Sequence, residues 1–131
     1  MGYYVSGGGY AEIKKENFRA VTETLLFKWP GMRDAGLNEC SDLERVLDYC
    51  GFDVCDFDDD GNLVFLSVCD HKLWDQADTL AAISPYVEEA RLEMTGEDGE
   101  KWLWAIKDYE FYECNAIIRY DGDPFEKEER L

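Results

Sequence analysis

Basic residues are scarce in this sequence. Thirteen Lys and Arg stand against thirty Asp and Glu, and the net charge is −17 over 131 residues. That shortage argues against direct binding to nucleic acid or anionic lipid, which are both polyanions. A single histidine leaves no histidine pair for acid–base chemistry. No apolar run approaches the roughly 18–20 residues that a membrane-spanning helix needs. No basic stretch followed by an apolar one opens the chain, so no secretory signal is read. No Cys-x-x-Cys pair occurs, and the three glycines at 7–9 are not followed by the Gly-Lys-Ser/Thr of a phosphate-binding loop.

What is present suffices for a packed core. Hydrophobic residues make up 46% and aromatics 15%, a composition that disordered acidic tails do not have. The length is that of about one domain. Five cysteines, at 40, 50, 55, 69 and 114, with no secretory signal, imply free thiols in a reducing cytoplasm.

Along the chain, Tyr3–Ser6 reads as a short strand, Gly7-Gly8-Gly9 as a flexible turn, and Tyr10–Lys14 as a second strand. Asn17 is placed to cap a helix running to about Lys28, with Phe18, Val21, Leu25 and Trp29 on one face. Pro30-Gly31 stops it. Ser41-Asp42-Leu43-Glu44 has the form of a capping box. Leu43, Val46, Leu47 and Cys50 then make an apolar stripe that Gly51 ends. Residues 52–57 and 62–68 form a hairpin about Asp58–Gly61, and 90–95 and 100–107 a second about Gly96–Gly99. Each has Asp-Gly where a type I turn with a left-handed glycine is wanted. In the second, Met94 opposite Trp102 and Leu92 opposite Trp104 put the large groups on one face. The first is apolar on both faces and is expected to sit centrally or to meet helices on its second face. Asp75 starts a helix carrying Ala77, Leu80 and Ile83 that ends near Ser84-Pro85. A last strand covers about 110–119.

The two helix–hairpin units are faintly alike, as a duplicated α-β-β unit or as two hairpins with the commonest turn, of which the second is the favoured reading. The expected class is α+β, a mainly antiparallel sheet with about three helices in the order ββααββαβββ. Residues 1–120 are expected to form one domain and 121–131 a charged, flexible tail.

Asp56, Asp58 and Asp60 with Gly61 match the opening of an EF-hand loop. Its twelfth position is Ser67 rather than Glu, and strands flank it, so a solvated hairpin tip is the better reading. Cys50, Cys55, Cys69 and His71 are the one metal-like cluster, a candidate structural zinc site; no cofactor is otherwise required. A Cys–His dyad of Cys69 or Cys50 with His71 lacks any protease signature. Trp102, Trp104, Tyr109, Phe111, Tyr112 and Tyr120 make an aromatic-rich C-terminal region. Its interleaved charges are acidic, which disfavours base stacking and leaves core packing or a protein interface. No catalytic residue is expected.

The acids cluster at 53–60, 88–100 and 121–129, and two of these clusters fall at hairpin tips. A charge of −17 exceeds the roughly 2–8 usual for a small domain, and self-repulsion on that scale costs stability. The expected use is a basic partner, approached through Asp56, Asp58, Asp59, Asp60, Glu97, Asp98 and Glu100. The 21 residues Ser84–Trp104, with the core Glu93-Met94-Thr95-Gly96-Glu97-Asp98-Gly99-Glu100-Lys101-Trp102-Leu103-Trp104, resemble a segment of small acidic proteins of phages and mobile elements. Ala90-Arg91 departs from that pattern's small polar residue. Some proteins of this sort are anti-CRISPR proteins acting on Cas nucleases. The resemblance implies a non-enzymatic inhibitor in the cytoplasm of a bacterial host, blocking nucleic-acid loading on a Cas effector. An immunity protein against a cationic nuclease toxin, and a zinc-stabilised regulatory module, stand as alternatives.

Overall fold

The computed structural model describes residues 3–34, 43–73 and 75–116, with backbone alone at 33 and 34. It is α+β, as expected. The strands are β1 (Tyr4–Ile13), β2 (Val54–Phe57), β3 (Leu63–Lys72), β4 (Glu89–Gly96), β5 (Lys101–Lys107) and β6 (Glu110–Asn115). The helices are α1 (Phe18–Lys28), a single turn α2 (Gly31–Asp34), α3 (Leu43–Tyr49) and α4 (Gln76–Ile83). Six strands make one sheet in the order β2-β3-β1-β4-β5-β6, antiparallel at every pairing. The expected Ser41–Glu44 capping box, the last strand beyond Ala116 and the charged segment 121–131 reach outside the described residues.

Helices cover one face of the sheet. Ala90, Leu92 and Met94 of β4 alternate with exposed Glu89, Arg91 and Glu93, the period-two pattern of a sheet buried on one side. The same face carries Val5, Ala11, Leu66, Val68, Trp104 and Ile106, all buried with Val21, Leu25 and Leu26 of α1, Val46 and Leu47 of α3, and Leu80 and Ile83 of α4. Met94 lies opposite Trp102 and Leu92 opposite Trp104, as the alternation predicts. The two indoles pack edge to face at 5.9 Å, a favoured aromatic geometry.

The glycine triplet is not a turn. Tyr4–Ile13 is one continuous strand at the centre of the sheet, so the two short strands expected at the N-terminus are one. Glycine is required here because the neighbouring backbones close in. A Cβ at Gly7 would lie 2.2 Å from the Glu93 carbonyl oxygen, at Gly8 2.7 Å from that of Leu66, and at Gly9 2.1 Å from that of Arg91. Glycine within a strand marks such close approach as readily as it marks a break. The register with β3 slips between Val5 and Gly7. Asp70 there takes a left-handed φ of 50°, and its N–H donates to the Ser6 hydroxyl at 2.8 Å, a bulge that ends the regular pairing.

Two further expectations need correcting. Asn17 does not cap α1. It closes a 3-10 turn (Lys15–Asn17) with φ −97° and ψ −3°, and its side chain makes no capping bond; a capping residue needs an extended backbone to reach forward. Asp75, by contrast, starts α4 as expected, its carbonyl oxygen accepting the Thr79 N–H at 2.9 Å without a side-chain capping bond. The first hairpin is not central, because β2 is an edge strand. Its second face is bare of helix, which leaves Val54 exposed. The likeness between the two helix–hairpin units also stops at the turn. The second strand of the first hairpin lies against β1, whereas in the second hairpin it is the first strand.

Gly9→Ala is therefore expected to destabilise the protein by about 3 kcal/mol. Gly99→Ala meets nothing within 4 Å and should cost about 1–2 kcal/mol, from its left-handed backbone alone. Chaotrope unfolding of both variants checks the order; equal losses would contradict the close approach of β4 to β1.

Candidate functional site

The two acidic hairpin tips lie at opposite ends of the sheet. Leu63, next to the first tip, pairs with Ile13, whereas Gly96, at the second, pairs with Val5. A strand rises about 3.3 Å per residue, so the length of β1 separates the tips by roughly 30 Å. The cause is topological: β3 and β4 both run antiparallel to β1, one leaving its tip and the other entering its own. The seven carboxylates expected to act together thus form two groups, Asp56, Asp58, Asp59 and Asp60 in one, Glu97, Asp98 and Glu100 in the other.

Within each group some acids have structural work. The Asp58 carboxylate accepts the N–H groups of Asn62 at 2.9 Å and Asp60 at 3.0 Å, and these bonds, that of Asn62 foremost, hold its pKa below the usual carboxylate value. Asp98 accepts the Tyr3 hydroxyl and, at 3.1 Å, the Glu100 N–H; the phenol bond is the main reason its pKa is lowered. Glu97 accepts the Tyr4 N–H at 3.2 Å. Asp followed by a polar residue two to four positions on is the signature of an Asx turn, and it is visible in Asp58-Asp59-Asp60-Gly61-Asn62. The left-handed glycines expected at the turns are Gly61 and Gly99, with φ of 86° and 88°. The EF-hand-like run is accordingly a hairpin turn between two strands.

The first group is larger than the sequence clustering suggested. Cys55 of β2 registers the field of its surroundings. Burial first, then the charges of Glu44, Asp56, Asp48 and Asp53, push its thiol up to about 12. Glu44 and Asp48 come from α3, one helical turn apart on the side away from buried Leu43, Val46 and Leu47. The result is an acidic edge made of α3, β2 and the first tip, where residues 43–61 hold seven Asp and Glu against one Arg.

The four zinc candidates do not converge. Cys50 is buried behind α3, and Cys55 faces the helix-covered side opposite Leu66. Cys69 is exposed on the other face, 3.5 Å from the Ser67 hydroxyl. The His71 Nδ1 lies 3.3 Å from the Lys72 carbonyl oxygen. The sheet itself stands between Cys69 and the other thiols. Among the described residues no three His, Cys, Asp or Glu side chains gather as a metal site.

Several aromatic groups are tied to carboxylates. Trp104 Nε1 donates to Glu113 at 2.6 Å, Tyr112 to Glu110 at 3.0 Å, and Tyr10 to Glu12. The bonded carboxylates raise Tyr3 and Tyr10 to about 12. Among the described residues, no helix is long and apolar enough to cross a membrane. No protein-family model, curated protein or solved structure matches the chain.

Two measurements follow from these environments. Cys69 and Cys114 are exposed, whereas burial also pushes Cys50 up to about 12. A thiol-reactive probe should therefore label Cys69 and Cys114 in the folded protein and reach Cys50 and Cys55 only on unfolding, as peptide mapping would register. For the lowered Asp58 and Asp98, the unfolded pKa is about 3.9. Their contribution to stability is complete above that value and is lost as pH falls through the lower folded values. The double variant Asp58→Asn/Asp98→Asn should flatten the acid limb of a stability–pH curve; an unchanged limb would mean that the turn bonds do not select the carboxylate form.

Proposed function

We propose that this protein is a non-enzymatic inhibitor that seats its acidic edge in the basic cleft of a nucleic-acid-handling effector and blocks nucleic-acid loading. The observation carrying the reading is the packing of α3, which bears Glu44 and Asp48, beside the edge strand β2, which bears Asp56, continued by Asp59 and Asp60 at the tip. Glu44 and Asp48 stand on a helix and Asp56 on a strand, so they present fixed charge rather than a flexible acidic tail. A Lys/Arg-lined channel built for phosphates attracts such a surface at long range and is filled by it at contact. Cas nucleases of a bacterial host are the effectors the Ser84–Trp104 resemblance favours, and the site of action is then the cytoplasm. An immunity protein against a cationic nuclease toxin would use the same edge and differs in the partner. Neither reading requires a cofactor or direct contact with nucleic acid or membrane.

The test is charge reversal at the edge, away from the turn-forming Asp58. Asp56→Lys/Asp59→Lys/Asp60→Lys should weaken capture of a purified Cas effector by about 100-fold or more while leaving the circular-dichroism spectrum intact. Glu97→Lys/Glu100→Lys at the far tip should weaken it less, and binding of the unaltered protein should fall as salt rises. Undiminished inhibition by the triple variant would sink the proposal.

A further inference from the structure

The face of the sheet that the helices leave bare carries a hollow of about 440 Å³ over β4, β5 and β6. Its floor is Leu103, flanked across the strands by Glu93 and Cys114. Lys101 and Thr95 form the next row on one side, and Arg91 opens the row on the other. In a chain of net charge −17, this hollow brings two cations together with one carboxylate. The Arg91 guanidinium is only loosely held, at 4.0 Å from the Glu93 carboxylate and with both side chains more than half exposed. Lys101 Nζ donates to the Thr95 hydroxyl oxygen at 3.2 Å, so the hydroxyl proton remains to be donated onward.

We propose that this hollow binds a small phosphomonoester of mononucleotide size. Arg91, Lys101 and the Thr95 hydroxyl are donors of the kinds that phosphate oxygens take, and the two cations stand in the rows on either side of Leu103, from which their long side chains can turn toward one phosphate above it. Leu103 offers an apolar floor to a flat body, and Glu93 accepts from a hydroxyl or amino group on that body. The volume lies within the range of about 300–1,000 Å³ common to small-molecule sites. The acidic edge does not forbid an anion here. Four strand spacings separate β2 from β5, about 19 Å, more than twice the screening length of about 8 Å at physiological salt. The site is distinct from the acidic edge and stands or falls separately from it.

Titration calorimetry of the full chain with adenosine 5′-monophosphate tests it, with adenosine and inorganic phosphate as separate arms. Saturable binding of the nucleotide at millimolar concentration or below is expected, with both fragments weaker by about tenfold or more. Lys101→Glu should lower the nucleotide's affinity by about tenfold or more, and Arg91→Gln by less, since it removes a charge where the other change reverses one. Both positions are exposed, so the variants should fold as the parent does. No saturable binding, adenosine binding as tightly as the nucleotide, or two variants that bind like the parent would each overturn the proposal.

Discussion

The close approach of β4 to the glycines of β1 is the constraint on which the rest of this molecule depends. With no side chains at Gly7 and Gly9, the central strand gives the core little volume of its own there. Leu66 and Val68 from β3 and Leu92 and Met94 from β4 line the space on either side. Those four are buried together with the inward faces of α1, α3 and α4. Because the large apolar groups of β4 and β5 point to that side, Leu103 excepted, their charged residues point to the other, and the bare face acquires its polar rows by default. The Trp29 indole, which donates to the Thr79 hydroxyl at 3.2 Å, ties the end of α1 to α4 within the same layer.

Excess negative charge is accommodated by placement. Few carboxylates enter the interior, and those near it are bonded, as Glu113 is to the Trp104 indole. Others hold turns or phenols in place, so that part of the acid surplus works as local hydrogen-bond acceptors. A further group lies along α3 and the short edge strand β2. An edge strand exposes unpaired backbone groups, and charge along it discourages unwanted strand pairing. The same placement that protects the edge makes it a candidate contact surface, so that a folding requirement and the proposed binding role would share residues.

Much of the architecture was legible in the sequence. Alternation in 89–107 specified both the hairpin and the Met94–Trp102 and Leu92–Trp104 pairs, because only one register puts four large groups on one face. The helix at 43–49 followed from its apolar stripe. The glycine triplet misled because glycine has two opposite uses in strands, to break them and to let neighbours come close, and only the contacts with Glu93 and Arg91 decide between them. Asn17 misled because capping depends on backbone angles that composition does not carry. Of the zinc candidates, Cys55 and Cys69 are sent to opposite faces by strand alternation. The acidic tips were correctly located along the chain, but their separation depends on the order of strands around β1, which no local pattern encodes. Glu44 and Asp48 were overlooked as partners of β2 for the same reason.

The two outer strands have one property in common. The first edge presents Asp56, and the last presents Glu110 and Glu113. Two identical molecules meeting flank to flank would bring like charges together before any backbone bond could form. Such a fold resists growing into continuous ribbons of sheet, and that resistance is built into the strand order as well as into the overall surplus of acid.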